Sequence, residues 1–214
     1  MSDTFPDARR RVTPSLLALC TFFFILGGLA ASCGSPIKSE AQFTVRSVKA
    51  LEARAIDEAR KWRSDAYLSR VSVYALAVDS RTPPATDDLL SFIFRSRNDL
   101  QHYYEVAFEA DDRIQLREWL ISDPHSADYV PIEPTDWIID SVDAWRIAQE
   151  NGGNEFLRKN QVGFLSTFLS LERWDPPGRG SVLWYVSYFS QATSQQLRFL
   201  IDARTGVVVS KETE

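Results

Sequence analysis

The segment "LRFLIDARTGVVVS", residues 197–210, has the pattern of two short strands joined by a tight turn. The residues on both sides of the turn are mostly apolar and β-branched or aromatic, which is typical of strands. Gly206 can take the positive φ that a tight turn needs, and the Asp202 side chain can hydrogen-bond the turn backbone. The sequence therefore predicts a β-hairpin close to the C-terminus.

Strand patterns also occur further upstream, in two groups. Runs rich in β-branched and aromatic residues predict strands at 71–78, 89–96, 102–110, 114–120, 164–172, 182–190, 196–202 and 207–210. Asp111 and Asp112 lie between the third and fourth strands at hairpin distance. The strands are therefore predicted to form antiparallel sheets.

A helix is predicted ahead of each group of strands. In residues 42–65, apolar side chains recur at spacings of three and four, which places them on one helix face; they are Val45, Val48, Leu51, Ala55, Ala59 and Trp62. A second helix is predicted to begin near Asp140 or Ser141, because either side chain can cap a helix by accepting a backbone N–H. The glycines at 152–153 are predicted to end it, and a helical turn is predicted at 155–159.

The two halves of the chain therefore share one order of elements. Pro83–Pro84 and Pro176–Pro177 follow the first strand of each half at matching positions. Such self-similarity indicates a duplicated unit, although two helix-plus-sheet halves also look alike by necessity. Residues 122–139 contain several prolines and no hydrophobic period, so they are predicted to be a linker.

The segment "DAWRIAQENGG", residues 143–153, together with the hairpin segment, resembles a PepSY domain over residues 140–212. That family pairs an alanine-containing amphipathic helix with a terminal hairpin of the form Ile-Asp-Ala-x-Thr-Gly-x-Val. The matching residues are Ile201, Asp202, Ala203, Thr205, Gly206 and Val208. The predicted fold class is therefore α+β, with two PepSY/cystatin-like units at 42–121 and 140–214. Each unit is a helix packed on an antiparallel sheet of about four strands.

The N-terminus has the basic-then-apolar order of a secretory leader. Ala31 and Ser32 end the apolar region, and Cys33 follows them directly. This pattern resembles a bacterial lipoprotein signal, in which small residues precede a cysteine that is lipidated and becomes the first mature residue. We therefore predict a signal peptide over 1–32, with lipidation at Cys33, and a tether over 33–41.

Two other interpretations of the leader stay open. The apolar region could be an uncleaved signal anchor, although spanning a bilayer takes about 20 apolar residues. It could also be an ordinary cleaved signal that releases a soluble protein. Cys20 lies within the leader, so the mature chain would have no intramolecular disulfide and no thiolate zinc site.

Charge and motifs exclude several classes of function. Without residues 1–32 the chain has 21 basic and 27 acidic residues, a net charge of -6, and no basic run, which disfavours a nucleic-acid partner. The two histidines, His102 and His125, lack the spacing of a zinc peptidase, and no activated-serine, Walker or dinucleotide motif occurs. We therefore predict no catalytic residue, no cofactor, no metal site and no enzymatic activity. Weak calcium binding at Asp87–Asp88 or Asp111–Asp112 stays open as an alternative.

Aromatic residues cluster on the predicted strands, most densely at 184–189. Successive residues on a strand point to opposite faces, so adjacent aromatic residues cannot all be buried. We therefore predict a surface that binds a partner protein, formed by Trp184, Tyr185, Tyr188 and Phe189.

The predicted function is that of a lipid-anchored protein on the extracytoplasmic side of a bacterial membrane. The PepSY resemblance implies a non-catalytic module that binds or restrains another protein, with a peptidase as one candidate. Two alternatives stay open. One is a small-ligand carrier with an apolar pocket between helix and sheet, and the other is an envelope enzyme of unrecognised type.

Overall fold

The computed structural model describes residues 45–77, 90–121, 130–160, 165–173 and 180–214. They form one antiparallel sheet of eight strands, in the order β4-β3-β2-β1-β5-β6-β7-β8. The strands are β1 (Tyr67–Ala77), β2 (Leu90–Arg95), β3 (His102–Phe108), β4 (Ile114–Leu120), β5 (Leu165–Arg173), β6 (Val182–Ser190), β7 (Gln195–Asp202) and β8 (Val208–Thr213). All eight predicted strands are therefore confirmed to within a few residues at each end.

This single sheet corrects the predicted fold class. β1 and β5 pair along their lengths, from Arg70 opposite Glu172 to Ala77 opposite Leu165. Each of these strands would otherwise leave a row of backbone N–H and C=O groups unpaired at a sheet edge. The molecule is mostly sheet, and the prediction of two separate PepSY/cystatin-like units, each a helix on its own sheet, is wrong. The duplication suggested by the sequence stays a prediction.

The helices are shorter than the sequence pattern suggested. α1 (Lys49–Trp62) begins and ends inside the predicted 42–65, and it buries Ala55 and Ala59 as expected. α2 (Ser141–Ala148) leads through a wide turn (Gln149–Gly153) into α3 (Asn154–Lys159). Gly152 has a φ of 125° within that turn, which confirms the predicted glycine stop after α2.

The N-termini of α1 and α2 share one cap. Asp140 Oδ1 accepts hydrogen bonds from the backbone N–H of Ser141 at 2.7 Å, of Val48 at 3.0 Å and of Lys49 at 3.2 Å. Ser47 Oγ also donates to Asp140 Oδ2 at 2.5 Å. The first N–H groups of a helix have no partner within the helix, so one carboxylate satisfies groups of both helices and holds them together.

One continuous apolar layer lies between the helices and the sheet. Val71 is paired with Phe92 on one side and Leu171 on the other, and Leu171 continues the row to Trp184 and Ile201. All five side chains have no solvent exposure. Each such burial contributes about 1.5–3 kcal/mol, so the sheet is held by a core that crosses its centre.

The described part of the predicted linker, residues 130–139, has no helix or strand and packs along this core. Ile132 N donates to Leu68 O at 2.9 Å, and Ile139 N donates to Ala203 O at 2.8 Å. Trp137 is fully buried, with its ring 6.3 Å from that of Trp184. These contacts connect the stretch to both groups of strands.

The hairpin at 197–210 forms as predicted. Gly206 has a φ of 75°, and its N–H donates to Asp202 O at 2.8 Å. Asp202 Oδ1 accepts from Thr205 N at 2.7 Å and from Thr205 Oγ1 at 2.8 Å. The turn therefore depends on the glycine conformation and on the aspartate side chain.

Candidate functional site

The predicted partner surface at 184–189 is divided by the sheet. Trp184 and Tyr188 have no solvent exposure. Trp184 Nε1 donates to Ile139 O at 2.8 Å, and the Tyr188 ring stacks on Trp145 at 4.9 Å. Both side chains point from β6 toward the helices, so the structure corrects the prediction that they contact a partner.

Tyr185 and Phe189 lie on the opposite face of β6. Phe189 is 37% exposed, and Tyr185 is half-buried. The Tyr185 ring is 6.2 Å from that of Phe168, which in turn lies 4.7 Å from the ring of Tyr74. These residues form an aromatic cluster on the second face of the sheet, and their predicted role in partner binding stays a prediction.

The lipidation and cleavage residues Cys33, Ala31 and Ser32 lie outside the described residues, as do His125 and the Asp87–Asp88 pair. None of the described helices has the length and apolar content needed to cross a bilayer. The leader and its anchoring cysteine therefore stay predictions from sequence.

Asp111 and Asp112, the other suggested calcium ligands, lie in the turn between β3 and β4. Asp112 pairs with Arg46, and Asp111 accepts from Arg113 Nε at 2.7 Å. The hydrogen bonds from Arg113 hold the pKa of the Asp111 carboxyl below its usual range. Both carboxylates are therefore already paired with guanidinium groups.

β4 is an edge strand of the sheet and carries a row of exposed apolar side chains. Leu116 is 47% exposed, Trp119 is 44% exposed and Leu120 is 73% exposed. Leu100, in the loop before β3, is 57% exposed, and the neighbouring Gln101 O accepts from Ile121 N at 2.7 Å. Large apolar residues that cluster at a surface indicate a binding site more strongly than scattered ones.

The backbone of β4 is unpaired on its outer side. In an antiparallel pair, residues alternate between exchanging both hydrogen bonds with the opposite residue and exchanging none. Glu109 N donates to Arg113 O at 2.9 Å and Ile121 N donates to Gln101 O, so the odd-numbered residues of β4 are bonded to β3. The N–H and C=O groups of Leu116, Glu118 and Leu120 therefore point outward, and no described residue bonds them.

The other edge of the sheet, β8, differs in character. Its sequence is "VVSKET", in which Val209 is 60% exposed but the remaining exposed side chains are polar or charged, with no leucine or tryptophan. Lys211 Nζ reaches back to Asn151 O at 2.8 Å. Lysine on an edge strand is a common means of preventing strand addition, so β4 is the better surface for a partner strand.

Trp119 is held in place on the second face of the sheet. Its ring stacks on Tyr103 at 6.4 Å, and its Nε1 donates to Glu105 Oε2 at 3.1 Å. Arg117 also lies 3.6 Å from Glu105. The indole is therefore a fixed apolar surface at the edge rather than a freely moving side chain.

A cluster of acidic groups and a histidine lies beside the apolar edge. Asp99, His102 and Glu118 each place one ligand atom within 4.8 Å of the others. His102 Nδ1 lies 2.9 Å from Asp99 Oδ1, and Trp62 Nε1 donates to Glu118 Oε1 at 3.1 Å. The cluster therefore joins the end of α1 to the β3–β4 hairpin.

Two other groups complete the surroundings of this cluster. The Trp62 ring stacks on Tyr104 at 5.1 Å with the planes 6° apart, and Tyr104 lies opposite Glu118. Burial, with help from the Glu58 and Glu118 carboxylates, raises the pKa of the Tyr104 phenol. Arg63 Nη2 lies 3.1 Å from Asp99 Oδ2, so a guanidinium faces the cluster from the end of α1.

The residues of the edge strand and the cluster were missed at the sequence level. β4 was predicted as a strand, but its place at an edge depends on the order of all eight strands. The Asp99-x-x-His102 pair was visible as a short spacing, whereas Glu118 joins it only through the register in which Tyr104 faces Glu118.

Comparisons with known proteins add little here. Neither a family model nor a curated protein matches this chain. The crystal structure of a candidate lipoprotein from Clostridium difficile 630 aligns with 76% of this chain and 92% of that chain. The alignment has a TM-score of 0.47 and 12% sequence identity, a level of similarity that carries no argument about function.

Proposed function

We propose that this chain is a lipid-anchored protein of the bacterial cell envelope that binds another protein through an extended segment of that partner. The partner segment adds as a ninth strand along β4. The observation that carries the proposal is the combination, on one edge strand, of exposed leucine and tryptophan side chains with outward backbone groups that no described residue bonds.

Strand addition would use both the backbone groups and the side chains of β4. The outward N–H and C=O groups of Leu116, Glu118 and Leu120 supply the backbone ladder that gives such complexes much of their affinity. The side chains of alternate residues lie on the two sides of that ladder, with Leu116 and Leu120 on the helix side and Trp119 on the other. A partner segment with apolar side chains would therefore be contacted on both of its faces.

A partner of different sequence suits this edge better than a second copy of the chain. In an antiparallel β4–β4 pair, the register that overlaps all seven residues of the strand places Arg117 opposite Arg117. Like charges directly opposite each other destabilise a sheet pair. The edge therefore favours a partner strand without a cation at that position.

The membrane anchor rests on the leader pattern and on Cys33. The thioether-linked and amide-linked acyl chains of a lipoprotein would hold the protein stably, whereas one acyl chain alone would not. In this proposal the chain has no catalytic role of its own.

The test is co-purification of the partner from solubilised envelopes with matched proline variants. Leu116→Pro removes an outward N–H of β4 and leaves every hydrogen bond to β3 in place. Proline is tolerated on that side of an edge strand, so the variant should fold. Thr213→Pro makes the equivalent change on β8, since Gln196 and Glu214 exchange hydrogen bonds and leave the Thr213 N–H outward.

We expect a protein that co-purifies with the tagged natural chain and with Thr213→Pro, and at least tenfold less of it with Leu116→Pro. Circular dichroism would establish that both variants are folded. Equal recovery with the two variants, or no stoichiometric partner with the natural chain, would overturn the proposal.

A further inference from the structure

We propose that Asp99, His102 and Glu118 form a binding site for a divalent first-row transition metal, with Zn²⁺ as the best fit. The three side chains come from the β2–β3 loop, the start of β3 and the edge strand β4, and their ligand atoms lie within 4.8 Å of one another. This inference is independent of the proposed partner, and it departs from the expectation that the chain has no metal site.

The loop that carries Asp99 is fixed by hydrogen bonds. Asp65 accepts from Ser96 Oγ at 2.8 Å and from Asn98 N at 3.1 Å, and Gln101 N donates to Asp99 Oδ1 at 3.2 Å. The Ser96 bond is the largest of the contributions that lower the pKa of the Asp65 carboxyl. A ligand on a fixed loop loses little conformational freedom when a metal binds.

The imidazole is oriented by its neighbours. Both oxygens of Asp99 lie at hydrogen-bond distance from His102 Nδ1, at 2.9 Å and 3.1 Å. This contact orients the imidazole so that Nδ1 faces Asp99, and a metal bound between the two side chains would replace the proton that they share. On the other side, Trp62 Nε1 bonds Glu118 Oε1 and leaves the second carboxylate oxygen available.

The charge of the site favours a cation. The Asp99 carboxylate lies between two donors, with His102 Nδ1 at 2.9 Å from Oδ1 and an Arg63 guanidinium nitrogen at 3.1 Å from Oδ2. With Glu118 the site has two carboxylates and one opposing guanidinium. The Arg63 side chain is 43% exposed and lies at the end of α1, so it can turn toward solvent when a divalent cation enters.

The ligand set selects the class of metal. One imidazole nitrogen and two carboxylates are a borderline nitrogen and oxygen set, which suits zinc better than calcium or magnesium. Zinc–ligand bonds of about 2.1 Å place tetrahedral ligands roughly 3.4 Å apart. Glu118 is exposed, so its side chain would have to move toward Asp99 and His102 when zinc binds, and water would complete the coordination.

Isothermal titration calorimetry with ZnCl₂ on the full chain in detergent, after treatment with a chelator, tests this site. We expect one Zn²⁺ per chain with a Kd in the micromolar range. His102→Ala and Glu118→Gln should each weaken binding at least tenfold, since even the partners of metal ligands contribute 10–100-fold to affinity. His125→Ala, which removes the other histidine of the chain, is the matched control and should bind like the natural protein.

Absence of Zn²⁺ binding to the natural chain at about 100 μM would overturn the site, as would tight binding that survives both His102→Ala and Glu118→Gln. Loss of binding in His125→Ala alone would assign the metal to the other histidine and would also overturn it. Glu118 is an exposed residue, so Glu118→Gln keeps the test decisive if His102→Ala is poorly folded.

Discussion

Asp140 is the residue on which the helix layer depends most directly. Its carboxylate accepts hydrogen bonds from the first N–H groups of both α1 and α2. Loss of one such cap costs about 1 kcal/mol, and here two helices lose it together. Asp140→Ala should therefore lower the free energy of unfolding by about 2–3 kcal/mol in urea titrations.

Asp143→Ala is the control for that change. Asp143 lies on the same helix, is half exposed and pairs only with Arg146 among the described residues. Its removal should change the free energy of unfolding by less than about 0.5 kcal/mol. Equal destabilisation by the two substitutions would contradict the shared cap.

Asp202 gives the C-terminal hairpin a dependence on pH. Partial burial acts to raise the pKa of its carboxyl, but the hydrogen bonds from Thr205 and from the Arg204 backbone outweigh burial and lower it. A carboxyl with a lowered pKa in the folded state contributes stability above its unfolded pKa of about 3.9. That contribution is lost as pH falls through the folded pKa.

Asp202→Asn keeps the size of the side chain and removes its charge. The natural chain should exceed this variant in free energy of unfolding at pH 6, and the difference should shrink progressively below about pH 4. Urea titrations at several pH values measure it. A difference that stays constant down to pH 2 would show that the charge of Asp202 contributes nothing to the turn.

For single residues, the sequence predicted roles well where the side chain or backbone interacts with groups close to it in the chain. The roles of Asp202 and Gly206 depend on backbone groups a few residues away, and both were predicted correctly. Asp140 was predicted as one of two candidate caps of α2, but its contacts with Val48 and Lys49 join distant parts of the chain and were not predicted. The burial of Trp184 and Tyr188 beneath the helices was not predictable in the same way. Strand alternation shows that neighbours point to opposite faces, but it does not show which face the helices cover.

At the scale of elements, β4 is the strand on which the proposed function depends. Its odd-numbered residues are bonded to β3, whereas the amides of Leu116, Glu118 and Leu120 point outward. Amides bonded within a sheet exchange with solvent only on local opening. Hydrogen exchange by NMR should therefore alternate along β4, with Gln115, Arg117 and Trp119 slower than their neighbours by about tenfold or more.

Uniform protection along β4 would contradict its place at the sheet edge. β7 provides the internal reference, because it has a hydrogen-bonded neighbour on each side in β6 and β8. Consecutive amides in its centre, at Phe199 and Leu200, should both exchange slowly.

All eight strands were predictable as elements because each has its own local pattern of β-branched and aromatic residues. Their order in the sheet was not predictable from those patterns. The contact between β1 and β5 joins residues almost a hundred positions apart, such as Val73 and Leu169. Nothing in either local pattern distinguishes this pair from two strands that end separate sheets.

At the scale of the whole molecule, the shared core predicts a single unfolding transition for the described part of the chain. Phe92 lies in the first group of strands and Phe199 in the second, and both have no solvent exposure. Phe92→Ala and Phe199→Ala should each lower the free energy of unfolding by about 3–5 kcal/mol. Each substitution should therefore lower the midpoint temperature of the same calorimetric transition. Two transitions, each shifted by only one of the substitutions, would show that the halves fold separately.

In vivo photo-crosslinking would show whether a partner strand occupies the β4 edge. A photoreactive phenylalanine analogue replaces Leu120 in one variant and Thr213, on the opposite edge, in the other. We predict a crosslinked adduct with one other envelope protein from position 120 and none from position 213. Adducts of equal yield from both positions, no adduct from position 120, or an adduct of two copies of this chain would show that β4 does not bind a partner strand of different sequence.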